Sequence, residues 1–181
     1  MKDLSLHILD IVQNSLSAGA ANIVVEITED TPSNDYIITI TDDGCGMTQE
    51  VLQRVTDPYY TSRTTRKVGL GIPLFKQNAE RAGGNFQINS QPGKGTTVIA
   101  GFRHDNIDRP ALGDMAGVMV ILTGANPEVH FCYKHSRDGV LYTFDTKEVK
   151  EALEGMPVNN PKIMKYLKEM IHENLVDIKA I

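Results

Sequence analysis

Apolar positions along this chain alternate between two periods. Leu4, Ile8, Ile11, Val12 and Leu16 recur at helical spacing over residues 4–18, which predicts an amphipathic helix stopped at Gly19. From Asn22 to Thr28 the period changes to two, with Ile23, Val25 and Ile27 on one face of a strand. Thr31-Pro32-Ser33-Asn34-Asp35 is turn chemistry, and Tyr36–Thr41 alternates again as a second strand. Thr48 is an N-cap for a short helix over about 49–55, which Asp57-Pro58 ends.

Residues 59–71 have no apolar period. Pro73 suits the first turn of a helix that runs to about Ala82 and stops at Gly83-Gly84. Strands at about 85–90 and 96–102 follow. The order α-β-β-α-α-β-β predicts an α+β two-layer sandwich, a mixed sheet with helices on one face. Residues 103–112 read as a linker, and the remainder as a separate, smaller α+β module. In it, Met115–Leu122 is a buried helix or strand, and Glu128–His135 and Val140–Phe144 flank an Asp138-Gly139 hairpin turn. Asp145 and Glu148 form a capping box for a helix at 146–154, and Asn160-Pro161 opens a last helix to about Asn174. The expected division is 1–103 and 104–181.

Composition narrows the function classes. The 181 residues are 41% apolar and 23% charged, as in an ordinary globular protein, with a formal net charge of -5 that argues against a nucleic-acid surface. Residues 104–181 hold 9 basic and 12 acidic residues, a net of -3, so they are no basic arm either. Two cysteines, Cys45 and Cys132, make neither a disulfide framework nor a zinc site. No apolar run approaches the roughly 20 residues that span a bilayer, and Ser5, His7 and Asp10 interrupt the first apolar stretch. The expected compartment is a reducing cytoplasm.

Four short elements carry candidate chemistry. Asp10 and Asn14 lie one helical turn apart, both with oxygens suited to Mg2+ or a bound water, or both simply solvated. Asp42-Asp43-Gly44-Cys45-Gly46-Met47 puts a carboxylate at a strand end before two glycines, so backbone can approach a flat ligand while Asp42 accepts from an exocyclic amine. Asp57–Lys67 is rich in hydroxyls and basic groups, a solvated loop or a lid that lays Arg63, with Arg66 or Lys67, near phosphate oxygens. Gly69-Leu70-Gly71-Ile72 leads into a helix start, where free N–H groups meet a polyphosphate. Gly95-Thr96 opens a strand whose hydroxyl is expected behind Asp42. Neither a dinucleotide fingerprint nor a P-loop is complete. His130, Cys132 and His135 do not converge as metal ligands, because His135 points away from the other two on a strand.

This set resembles the ATP-binding domain shared by DNA gyrase, the ninety-kilodalton heat-shock chaperones, histidine kinases and MutL proteins. The resemblance covers roughly residues 1–103; the first segment is most similar to MutL and Asp57–Phe102 to histidine kinases. It implies the Bergerat fold with ATP and Mg2+ as ligands. Asn14 would hold the metal; Ser17 and Ala18 accompany it on the first helix. Asp42, Gly44, Gly46, Met47 and Thr96 would hold adenine. Tyr60, Thr61, Ser62 and Arg63, with Gly69, Leu70, Gly71 and Ile72, would hold the phosphates.

Hydrolytic members carry a glutamate where this chain has Asp10. The shorter side chain implies slow hydrolysis through a water, or only a share in holding Mg2+. No two-helix phosphoacceptor domain precedes the first helix and His7 belongs to the nucleotide scaffold, so the expectation is a kinase acting in trans or a slow ATPase switch. A non-catalytic nucleotide sensor is the alternative. Residues 104–181 are expected to dock a protein partner, to dimerise, or to regulate the lid.

Overall fold

In the computed structural model, residues 3–57 and 71–181 are described. Six helices and six strands lie within them: α1 Leu4–Ser17, β1 Asn22–Asp30, β2 Asp35–Asp42, α2 Gln49–Arg54, α3 Gly71–Arg81, β3 Phe86–Gln91, β4 Gly95–Arg103, α4 Met115–Ala125, β5 His130–Arg137, β6 Val140–Asp145, α5 Thr146–Ala152 and α6 Pro161–Asp177. The strands form one sheet in the order β3-β4-β2-β1-β5-β6. All pairs are antiparallel except β1 with β5. This is the expected α+β architecture.

Alternation decides which sheet face is covered. Ile23, Val25 and Ile27 of β1 and Tyr36, Ile38 and Ile40 of β2 are buried against Leu4, Ile8, Ile11 and Val12 of α1. Ile72, Phe75 and Ala79 of α3 join the same core. Met115–Leu122 is a helix, capped by the Asp114 side chain on the Gly117 N–H. It is apolar nearly all round because it lies inside the core, with α6 bringing Leu167, Ile171 and Leu175 to the same cluster.

The residues after 103 share that sheet and core instead of forming a sheet of their own. β5 lies parallel beside β1, from Asn22 opposite His130 to Glu29 opposite Arg137. The hairpin turn carries positive φ at both Asp138 (48°) and Gly139 (86°), as a tight two-residue turn requires. Residues 103–112, expected as a linker, are tied down. His104 N donates to Asn34 O, while Leu4 N and Ser5 N donate to Ala111 O and Leu112 O, so the segment satisfies the orphan donors at the start of α1.

One buried charge cluster has no counterpart in the sequence reading. Glu29, only 4% exposed, accepts from His135 Nε2 at 2.7 Å and His104 Nε2 at 2.8 Å, with Arg137 at 3.7 Å. Burial alone would raise this carboxyl, but the two histidine hydrogen bonds and Arg137 hold it below the ordinary carboxylate value. Tyr133 Oη lies 2.7 Å from His135 Nδ1. The cluster joins β1, β5 and the segment after β4 at one end of the sheet. Paired in this way the buried charge is tolerated; stripped of its partners it would be costly.

His7 is a scaffold residue, as expected. It is buried, stacks on Phe75 with ring centroids 5.3 Å apart, and places Nε2 2.7 Å from Asn78 Nδ2. Burial pushes its pKa down from 6.5 to about 4. The unfolded chain therefore takes up this proton before the folded chain does. The contribution is complete above the unfolded value and is lost as pH falls from 6.5 toward 4, amounting to at most about 3 kcal/mol. Replacing His7 with Phe should make the acid limb shallower, read as a smaller difference between urea midpoints at neutral and mildly acidic pH than in the wild type.

Candidate nucleotide site

Two consecutive aspartates at the end of β2 point to opposite sides and do different work. Asp42 turns into the helical layer and is 8% exposed. Its Oδ2 accepts from Ser15 Oγ at 2.6 Å, and its Oδ1 accepts from Gly44 N at 2.9 Å and Thr96 N at 3.3 Å. A carboxylate offers about four acceptor positions, so three protein donors leave one. Asp43 reaches across to the start of β1. It accepts from Ala21 N, Asn22 N and Asn22 Nδ2 at 2.8, 2.9 and 2.7 Å, and these bonds, the Asn22 side chain first, lower its pKa.

The turn that follows is held on both sides. Cys45 N donates to Ala18 O, and Met47 N donates to Ser90 Oγ. Gly46 has φ +67°, and a Cβ there would lie 2.0 Å from Gln91 O. Gly95 has φ +93°, and a Cβ there would lie 1.9 Å from Asp42 O. Both positions need glycine for conformation and for space.

Several expected residues meet here in altered roles. Ala18 seats the turn through its carbonyl and its contact with Gly44. Thr96 serves Asp42 through its backbone N–H, while its hydroxyl pairs with Ser90 Oγ at 2.9 Å. Ser17 is exposed and returns its hydroxyl to Gln13 O at 2.8 Å; Ser15 is the α1 hydroxyl that reaches Asp42. The reason is helical phase: Ser15 shares the buried stripe with Ile8, Ile11 and Val12, and residue 17 lies off it. Ser15, Asp43 and Ser90 were missed by sequence reasoning. The adjacency of Ser15 to Asn14 was the available signal for the first; the other two depend on cross-strand register.

Asp10 and Asn14 lie one turn apart and half-buried on α1. Asp10 sits against the start of α3, where a Cβ on Gly71 would fall 1.8 Å from Asp10 Oδ2. The positive end of α3 favours a carboxylate there. Ile72 is buried just behind Gly71. Tyr60, Thr61, Ser62, Arg63, Gly69 and Leu70 lie outside the described residues. A cavity of about 410 Å3 opens at the same strand ends, lined by Asp42, Ser90, Gly95 and Thr96 together with Thr41 and Thr97.

The histidines of β5 are engaged elsewhere: His130 with Asp145 and Asn22, His135 with Glu29. Among the described residues no helix is long and apolar enough to cross a membrane.

A family model described as histidine kinase-, DNA gyrase B-, and HSP90-like ATPase matches residues 2–106. The chain belongs to this family. Relatives of this chain include a putative sensor protein of Shewanella frigidimarina, 31% identical over 93 residues, covering 50% of this chain and 14% of that protein. Sporulation kinase C of Bacillus subtilis is 30% identical over 88 residues, 49% of this chain and 20% of the kinase. The sensor histidine kinase ZraS of Escherichia coli is 30% identical over 94 residues, 52% and 20%. The matched stretches thus span only 14–20% of these relatives' lengths.

Among solved structures, the N-terminal domain of a DNA repair protein superposes with TM-score 0.55 at 14% identity, covering 79% of this chain and 52% of that one. The Aquifex aeolicus MutL ATPase domain complexed with ADP gives 0.52 at 15% identity, covering 85% and 70%. These two likenesses establish the fold.

Ser15→Ala removes the donor to Asp42 Oδ2 and leaves that oxygen buried. The expected cost is about 1–3 kcal/mol in denaturant unfolding. An unchanged midpoint would count against the bond.

Proposed function

We propose that this chain binds Mg–ATP at the end of β2 and couples it to a partner, as a kinase acting in trans or a slow ATPase switch. The observation that carries the reading is the Asp42 carboxylate, anchored by Ser15, Gly44 and Thr96 with one acceptor position left. An exocyclic adenine amine is a donor of the right kind. Gly46 and Gly95 support the same reading indirectly: a Cβ at either would strike the backbone oxygen of Gln91 or Asp42, so both glycines let the β3–β4 connection close against the turn that carries Asp42. Membership of the ATPase family supports it too.

Asn14 would offer an amide oxygen to Mg2+, which when bound neutralises phosphate charge. Asp42 selects the base by accepting its amine. Asp10, one turn from Asn14, would take the proton from a water or from an acceptor hydroxyl. Its position against Gly71 and its short side chain favour slow turnover, because a displacement of about 1 Å can cost roughly 100-fold. The same position also supports the second reading, a nucleotide sensor without turnover. Residues 104–181 would then serve to dock the partner.

In a titration with a fluorescent ATP analogue and Mg2+, Asp42→Asn should weaken binding about tenfold or more, since an amide nitrogen replaces one acceptor oxygen. Unchanged micromolar affinity would sink the adenine assignment. With γ-labelled ATP and a cell lysate, label on a protein identifies a kinase, released phosphate an ATPase, and neither a sensor. Asp10→Asn should abolish any turnover while leaving binding within a few-fold; full turnover in that variant would remove the base role.

A further inference from the structure

At the nucleotide end of the sheet, four side chains form a line that the proposed function leaves unused. Asp43 Oδ2 accepts from Asn22 Nδ2 at 2.7 Å. Asn22 Oδ1 lies 3.1 Å from His130 Nδ1, and His130 Nε2 lies 2.9 Å from Asp145 Oδ1. Asp145 in turn caps α5 by accepting from Lys147 N at 2.8 Å. The line starts one residue from Asp42 and ends on α5, beyond residue 106 where the family match stops. It exists because the parallel pairing of β1 with β5 sets Asn22 opposite His130.

The hydrogen-bond inventory assigns each atom. The Asp43 carboxylate only accepts, so the Asn22 NH2 must face it and the amide oxygen must face His130. On its other side the ring meets Asp145, another acceptor. Both contacts are hydrogen bonds at once only when each ring nitrogen carries a proton. The titratable and charged groups around the ring are Asp145 from β6, Asp43 through Asn22, and Cys132 on the same face of β5. Lys147 and Glu148 of α5 meet Asp145 through their backbone N–H groups.

We propose that His130 is a positioning residue for the nucleotide turn: it orients Asn22, Asn22 orients Asp43, and the Gly44–Met47 backbone is thereby set before ligand arrives. His130 touches no ligand. Without it Asn22 can rotate and Asp43 loses its Oδ2 donor, so the turn is held to β1 by Ala21 N and Asn22 N on Asp43 Oδ1 and by Asp43 N on Asn22 O, and elsewhere by Cys45 N on Ala18 O, Met47 N on Ser90 Oγ and Gly93 N on Cys45 O. Ordering the turn would then be charged to binding, which lowers affinity without altering any ligand contact. The region after residue 106 would thereby regulate the site, so the affinity arm of the test rests on the ATP reading.

The test uses the full chain with His130→Ala, His130→Gln and, as a far-end control, Asp138→Ala. Asp138 accepts from Thr31 N and Oγ1 at the opposite end of the sheet. Hydrogen exchange without nucleotide is followed at the Asp43, Cys45 and Met47 amides. His130→Ala should speed it by about tenfold, His130→Gln by less, and Asp138→Ala should leave it unchanged. Affinity for the fluorescent ATP analogue should fall by roughly fivefold in His130→Ala. Unaltered exchange at the three amides in His130→Ala, or equal acceleration in Asp138→Ala, overturns the proposal whatever the nucleotide does. If the wild type binds no nucleotide while the exchange responds as stated, the ATP reading falls and the positioning role stands.

Discussion

The double pairing of β1 holds the molecule together. One edge takes β2 in antiparallel register and the other takes β5 in parallel register, so all its central backbone groups are spent inside the sheet. Asn22 and Glu29, near its two ends, are about 23 Å apart, given roughly 3.3 Å per residue over seven steps. At one end Asn22 stands between Asp43 and His130. At the other, Glu29 stands between His135 and His104. The polar chemistry at both ends depends on β1 lying where it does.

This placement explains why two adjacent aspartates differ. Strand alternation sends Asp42 into the helical layer, where Ser15 and two backbone N–H groups meet it. Asp43 turns back to β1 and staples the turn to the strand start. One carboxylate keeps an acceptor position open while the other fixes the backbone that carries it. Gly46 and Gly95 complete the turn by letting the β3–β4 connection close against it.

Much of this was legible in the chain. The spacing of Leu4, Ile8, Ile11 and Val12 located α1, Asp138-Gly139 located the second hairpin, and Asn160-Pro161 located the start of α6. Less legible was anything set by register. That Ser15 reaches Asp42 while Ser17 turns back to Gln13 O depends on the phase of α1 relative to a distant carboxylate, which local composition does not reveal. Residues 103–112 looked like a linker because their polar side chains hide that their backbone closes the first turn of α1. Glu29, His104 and His135 come from three separate stretches and share no local pattern.

The sequence by itself determined the elements, the family and the residue types that suit a nucleotide, because helix periods, caps and glycine turns are local and written in consecutive residues. Only the tertiary structure decided that the last third of the chain extends the same sheet. It also decided that Ser15 reaches Asp42, that Asp10 rests against Gly71, and that His130 stands one amide away from Asp43. Those are contacts between strands and helices far apart in sequence, and their geometry follows from register and packing, which no local pattern encodes.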